Sequence, residues 1–489
     1  MPHDTPVRLR YGPLTVYVQS LAGCPELQPY VQSLPPDEPV VWLDSARHHP
    51  VTGRWSLVGC EPWMTCSVRG NRIELCTSAA THVYRAHPLD ALRQVLRRYR
   101  IPPTAEPHAR AMALMGFLGY ELNGWIERLP EPQSAGGTVP DMLWFGMRLV
   151  VLLDHVEERG WLVSLADPHA PEPLARRDAL EALHRARERL TNGSPHRPVI
   201  PCVSSVLAPT TSRETFEAMV AQVLEYIRAG EIFQANVSQR FTASWRGEPR
   251  VLYEALRRIN PSPFACFLSS GDLAVVSCSP ERLVRVQEGR VETRPIAGTR
   301  PRGTNPEEDA INSLELLLSE KERAEHIMLV DLERNDLGRV CEAGSVSVDE
   351  LMVLEGYSHV LHIVSNISGT VRRGVDAIDI IRAAFPGGTI TGCPKVRCME
   401  ILREVEPVRR GVYTGSVGYL GFDGTIDLNI AIRTMVIQGS QLSFHVGAGI
   451  VADSVPDREY RETLDKSRAL DEALRAVSAP SSSPYAATR

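Results

Sequence analysis

The chain has 489 residues, more than one ordinary hydrophobic core accommodates, so two domains or one large elaborated one are expected. Hydrophobic residues at 43% and charged residues at 23% fit a soluble globular protein, and a net charge of −6 argues against a general nucleic-acid binder. No apolar run reaches membrane-span length, the start MPHDTPVRLRYGPL lacks signal-peptide regions, and the scattered cysteines show neither a CxxC pair nor zinc spacing, so a cytoplasmic enzyme with reduced thiols and no membrane partner is the favoured class.

Residues 1–190 form a first domain of short strands and helices. Apolar runs at 40–43 and 149–153 predict buried strands, and 89–96 and 176–190 predict helices, the second charged and surface-lying. Asn-Gly-Ser-Pro and two further prolines mark 191–205 as a linker. A clear helix follows, in which Phe216, Met219, Val220, Val223, Leu224 and Ile227 recur at helical spacing. Ser212 is placed to cap it and Gly230 to end it. The run 232–245 alternates as a strand. Residues 206–475 continue as a second domain, and 476–489, rich in Ser, Pro and Ala, reads as a disordered tail.

Residues 385–399 read FPGGTITGCPKVRCM. Gly387, Gly388 and Gly392 remove side-chain bulk, so backbone can approach a ligand closely. Pro394 suits a first helical turn, Val396, Met399 and Leu402 recur at helical spacing, and Pro407 stops the run. A glycine-rich turn opening a helix presents free N–H groups and a positive dipole end, which with Lys395 suits an anion. Two Glu-x-x-Glu pairs follow the same logic of convergence. Glu322 and Glu325 lie in KERAEHIMLVDLERND, and Glu459 and Glu462 in REYRETLDK. Three-residue spacing sets both carboxylates of a pair on one helix face, and four oxygen donors from two helices suit a hard cation such as Mg²⁺. Alone, such pairs are usually solvated surface ion pairs. Gly447 to Gly449, the GAG before the second pair, is another place where backbone can reach a ligand.

SPERL (279–283), ETRPIAGTRPRG (292–303), the Glu322/Glu325 run, GYSHVLHIVSN (356–366), FPGGTITGCPK, YTGSVGYL (413–420), Arg433 in AIRT, GAGI and EYRETLDK occur together and in order. This set resembles the chorismate-utilising enzymes, which include the anthranilate, aminodeoxychorismate, isochorismate and salicylate synthases. The resemblance covers about residues 205–475 and extends thinly into the first domain through WLDSA, RWSLVG and GFLGYELNGWIERLP. It implies an α+β fold, a large layered αββα sandwich with two intimately packed subdomains. It also implies that Glu325 and Glu462 hold Mg²⁺, with Glu322 and Glu459 acting through waters or from behind. Tyr413 and Arg433 would hold the enolpyruvyl carboxylate of chorismate, with Gly447, Ala448, Gly449 and Thr389 taking remaining oxygens. Glu281 would be the general acid for the departing 4-hydroxyl, which needs a pKa raised by burial. His362 would lie near the ring.

In the relatives that activate water, a lysine stands where this chain has Gln234, and glutamine is no base; ammonia is therefore the expected nucleophile. IFQANVSQRF, FPGGTITGCPK and GYELNGWIERLP resemble the aminodeoxychorismate enzymes. Ala297 in PIAGT is the form usual in anthranilate synthases, whereas a lysine in PIKGT attacks the ring in well-studied aminodeoxychorismate subunits; alanine has no nucleophile. Aminodeoxychorismate is the favoured product and anthranilate the alternative. A non-catalytic binding subunit would lack the metal glutamates or Arg433, and all are present. No cysteine sits in a G-x-C-x-G elbow, so a separate glutamine amidotransferase is expected to supply ammonia. The resemblance also makes LDSA, with Ser45, a candidate tryptophan-binding strand.

Overall fold

The computed structural model describes residues 5–131, 137–192, 202–303, 305–356 and 360–478. Two long antiparallel ribbons of strands organise it. The first runs Val7–Tyr11, Leu14–Leu21, Arg159–Ala166, Met142–Asp154, Trp55–Arg69, Val40–Asp44, Phe264–Ser270, Leu273–Ser279, Thr434–Gln438, Gln441–Ile450 and Gln234–Arg246. The second runs Thr81–Arg85, Arg72–Thr77, Trp55–Arg69, Met142–Asp154, Ala113–Leu118, Ser416–Gly421, Ile426–Asn429, Arg282–Gln287, Arg290–Arg294 and Val360–Thr370, with Ile296–Pro301 and Ser347–Gly356 also on this last strand.

Trp55–Arg69 and Met142–Asp154 belong to both ribbons. Their register shifts between Pro62 and Met64, where Glu61 takes a left-handed φ of 53°. A bulge of this kind bends a strand, so one half of each can serve one sheet and the other half the second.

Side chains alternate across a strand, and the alternation builds the layers. Val41, Leu57, Leu268 and Val275 of the first sheet join Leu114, Phe117, Leu420 and Leu428 of the second in one core. Their neighbours Trp42, Val58, Phe267 and Val276 face the other way, against Leu183 of the helix Glu172–Asn192, Leu252 and Leu256 of Pro249–Ile259, and Leu470 and Leu474 of Pro456–Ser478. Helices Pro88–Arg98 and Ala377–Ala384 add Leu89, Leu92, Ile378 and Ile381 to the first core. The result is the expected αββα sandwich. Each fully buried Leu, Ile or Val contributes about 1.5–3 kcal/mol, so the doubly covered sheets make a rigid base.

The helix after the linker spans Arg213–Arg228; the Ser212 side chain accepts from Thr215 N, and Gly230 takes a φ of +76°. It packs with Lys395–Val405 through Phe216, Val220, Cys398 and Ile401 onto Val237 and Ala448, fixing the end of the first sheet. Some expectations shift. Val396 is 40% exposed, because Cys398, Met399 and Ile401 supply the packed face instead. Pro394 precedes the first helical turn as its N-cap. Residues 476–478 close the helix Pro456–Ser478; the rest of the expected tail, and 193–201 of the linker, lie outside the described residues. The portions before and after the linker share both sheets, through the pairs Val40–Asp44 with Phe264–Ser270 and Ala113–Leu118 with Ser416–Gly421. No helix among the described residues is long and apolar enough to cross a membrane.

Candidate active site

The two glutamate pairs sit on helices as the spacing predicts, Glu320–Gly338 and Pro456–Ser478. Gln234, first residue of its strand, donates from Nε2 to Glu325 Oε1 (2.8 Å). Gly449 lies opposite Asn236 in register, and a side chain added there would meet Gln234 Nε2 at 2.7 Å and Glu325 Oε1 at 3.9 Å. A side chain at Gly447 would meet Asn236 Nδ2 at 2.8 Å and the Tyr413 hydroxyl at 2.9 Å. The bare backbone of these two glycines, flanking the buried Ala448, therefore lets Gln234, Asn236 and Tyr413 approach the strand closely.

Lys466 ties the second pair to this wall, with Nζ 2.7 Å from Glu462 Oε1 and 3.0 Å from the Gly447 carbonyl. Burial, and then the nearby Glu322 charge, push the Glu325 carboxyl above its ordinary pKa; Gln234, Lys321 and Lys466 pull the other way. Burial and the Glu462 charge likewise raise Glu459. Among the described residues, no three His, Cys, Asp or Glu side chains converge closely enough to form a metal cluster. The donor set is nonetheless all oxygen, mutually repelling and partly desolvated, which fits a Mg²⁺ ion that keeps several waters. Glu325 and Glu462 would hold it.

Glu281 stands between Leu273–Ser279 of the first sheet and Arg282–Gln287 of the second. Glu281 is buried, and burial pushes its carboxyl up to about 7, against the pull of the Thr389 hydroxyl, the Ile296 backbone N–H and the Arg433 charge. Glu281 Oε1 and Thr389 Oγ1 are both buried without a completed hydrogen bond. Ala297 follows Ile296 on the neighbouring strand and is buried. His362 donates from Nδ1 to the Gly298 carbonyl (3.2 Å), and burial followed by the Arg433 charge hold its pKa down at about 4, so the ring is neutral. Gly298 in turn packs against Glu322, whose Oε2 would lie 3.0 Å from an added side chain.

Two residues here adopt left-handed backbone, Arg433 at φ 51° and Thr414 at φ 57°. For a non-glycine residue this conformation carries a local cost and recurs at functional sites. Thr414 N donates to Ala431 O (2.8 Å), which sets Tyr413 beside the Arg433 turn.

Lys395 lies elsewhere. It pairs with Asp336 (2.5 Å), both nearly buried, and reaches the Ala384 carbonyl. The pair lies near the buried Glu333, whose carboxyl burial raises, which also feels the Glu281 charge and which accepts from Thr293 Oγ1 (2.6 Å). The glycines of FPGGTITG also serve packing: side chains at Gly387, Gly388 and Gly392 would run into Ile430, Leu332 and the Gln234 backbone. Ser45 belongs to a separate cavity of about 110 Å³, walled also by Trp55, Phe264, Arg282, Tyr419 and Asn429. Its Oγ donates to Trp55 O (2.6 Å).

A family model described as chorismate binding enzyme matches residues 38–472. The chain belongs to this chorismate-binding family. It is 40% identical over 460 residues to anthranilate synthase component 1 of Synechocystis sp., covering 89% of this chain and 91% of the relative. It is equally 40% identical, over 435 residues, to aminodeoxychorismate synthase component 1 of Bacillus subtilis, again covering 89% and 91%. The crystal structure of anthranilate synthase component I from Streptococcus pneumoniae superposes with a TM-score of 0.74 at 32% identity, over 87% of this chain and 93% of that one. The menaquinone-specific isochorismate synthase of Escherichia coli shares the fold, with a TM-score of 0.72 at 16% identity over 96% of each chain. The protein is thus a chorismate-utilising enzyme of the anthranilate and aminodeoxychorismate synthase type.

Sequence reasoning missed two residues that contact this candidate site. Asn236 follows Gln234 by two on one strand, so strand alternation alone puts both on one face. Arg410 had no such signal. It is buried, pairs with Glu406 (2.7 Å), and donates to Asn236 O (2.6 Å), Ile390 O (3.0 Å) and Thr414 Oγ1 (3.2 Å). Glu406 and Thr414 lie four residues away on either side, whereas folding brings in Ile390 and Asn236.

Proposed function

We propose that this enzyme aminates chorismate with ammonia at a Mg²⁺ site, forming 4-amino-4-deoxychorismate. The observation that carries amination is the Gln234–Glu325 hydrogen bond. The amide is neutral and held through its nitrogen, so it offers no base for water; ammonia is a nucleophile without one. Bound Mg²⁺ would offset the ring carboxylate's charge and orient it. Glu325 and Glu462 would hold that ion, with Glu322 and Glu459 supporting it from the same helix faces. Tyr413 and Arg433 grip the enolpyruvyl carboxylate, Arg433 with a planar fork suited to two oxygens. The backbone of Gly447 to Gly449 and the Thr389 hydroxyl face the remaining oxygens.

Glu281, kept protonated by burial, gives its proton to the 4-hydroxyl as the C–O bond breaks, and water leaves. The ammonium formed on the ring then loses a proton, which restores Glu281. His362, neutral and bonded to the Gly298 carbonyl, adds no charge to the site. Ala297 offers no side chain for a covalent intermediate.

A second product, anthranilate, is favoured by Ala297 and by the names of the cyanobacterial and streptococcal relatives. The relatives are called component 1, which supports a separate amidotransferase partner as the ammonia source. Incubation with chorismate, Mg²⁺ and ammonia, with and without an aminodeoxychorismate lyase, tests the product. The expected result is 4-aminobenzoate only with lyase. Fluorescent anthranilate without lyase would replace the first product by the second, and intact chorismate would overturn both.

A further inference from the structure

Asn236 is 8% exposed, and among the described residues its side-chain Nδ2 has no hydrogen-bond partner. A buried amide nitrogen left open costs about 1–3 kcal/mol, so its persistence asks for an acceptor. Three features say where that acceptor belongs. The Asn236 amide lies beside the Tyr413 hydroxyl, near enough to favour the phenolate against burial. Both Nδ2 and that hydroxyl come together against the bare backbone of Gly447, at 2.8 and 2.9 Å from where a side-chain carbon would stand. Both elements are braced by one residue: Arg410 donates to the backbone carbonyl of Asn236 (2.6 Å) and stands over the Tyr413 ring at 5.8 Å. Two donors gathered at one point and braced by Arg410 match a carboxylate, which accepts and does not donate.

We propose that Asn236 is a substrate-binding residue, whose Nδ2 donates to the same enolpyruvyl carboxylate that Tyr413 and Arg433 hold. This rests on assigning that carboxylate to Tyr413, and it is independent of which amine product forms. With Asn236 in place, the carboxylate meets donors from the Gln234 strand as well as from the Tyr413 and Arg433 turns, so one contact set joins the chain segments of the cleft.

The test is a binding titration with Mg²⁺ and no ammonia, using two probes: chorismate, and the ring diol monocarboxylate that lacks the enolpyruvyl group. Asn236→Ala is expected to weaken chorismate binding roughly 10- to 100-fold, as for a lost hydrogen bond to a charged group. Its affinity for the monocarboxylate should stay within twofold of the parent. Asn236→Asp keeps the shape and sets a carboxylate against a carboxylate, so it should weaken chorismate further. Chorismate binding within twofold of the parent in either variant overturns the proposal, as does an equal loss for both probes, which would mean a general distortion. A parent protein that binds the monocarboxylate but not chorismate would overturn the Tyr413 assignment as well.

Discussion

The cleft and the Ser45 cavity are both polar pockets in the same sandwich, and they differ in how their polar atoms are satisfied. Around Ser45 the groups complete one another. Ser45 Oγ donates to Trp55 O, its backbone N–H donates to Ser56 Oγ (3.1 Å), Ser56 Oγ donates to Asp44 (3.4 Å), and Asp44 also accepts from Tyr253 (2.9 Å) and Arg257 (2.5 Å). In the cleft, Gln234 Oε1, Asn236 Nδ2, Glu281 Oε1 and Thr389 Oγ1 are buried with no completed bond. A buried polar atom is stable only with a partner, so a set left open around one space is built for something that arrives later. A closed set is first of all architecture.

Breaking the cleft should therefore cost activity, and breaking the closed sets should cost stability. Glu281→Gln is expected to lower kcat by about 10²–10⁴-fold, the worth of a general acid. The parent's pH profile sharpens this point. With the Glu281 carboxyl at about 7, its protonated form is full below that pH and is lost as pH rises through it. At constant free ammonia, kcat should fall on the alkaline side, and the glutamine variant should lose that limb. Glu325→Gln should weaken Mg²⁺ or Mn²⁺ binding by more than about 100-fold, read by direct metal titration, and abolish chorismate consumption. Metal affinity unchanged in that variant would remove Glu325 from the metal site.

The Asp336–Lys395 pair separates the two behaviours most clearly. Lys395→Met leaves Asp336 buried and unpaired, and denaturant titration should show a loss of about 3–5 kcal/mol. If the folded variant keeps its KM for chorismate, Lys395 supports the site without touching substrate. Ser45→Ala should do least: about 1 kcal/mol of stability from one lost hydrogen bond, with turnover unchanged. Tryptophan titrated against parent and variant would show whether that cavity also binds a ligand.

Much of this was legible from residue order. Glutamates three apart on a helix share a face, and Glu322/Glu325 and Glu459/Glu462 lie on helices as read. The strands at 40–43 and 149–153 and the Ser212 cap followed from apolar runs and a capping hydroxyl. What order could not show was where a polar group would spend its contacts. Lys395 has the charge and the helix start that suit an anion, yet Asp336, 59 residues away, takes it. The glycines at 387, 388 and 392 look like a ligand cradle, and much of their smallness is used against Ile430, Leu332 and the Gln234 strand. Arg410 joins its own stretch, through Glu406 and Thr414, to Ile390 and Asn236, which only the fold brings near. Competition among long-range partners decides such cases, and it is invisible in a local pattern.

Isotope labelling tests the choice of nucleophile directly. Chorismate and Mg²⁺ are incubated with ¹⁵N-ammonium in H₂¹⁸O, and the products are weighed by mass spectrometry. A ring amine carrying ¹⁵N and no ¹⁸O is the expected outcome, since Gln234 holds Glu325 and offers water no base. An ¹⁸O-labelled hydroxylated ring, formed whether or not ammonia is present, would contradict the assignment of this cleft to amination.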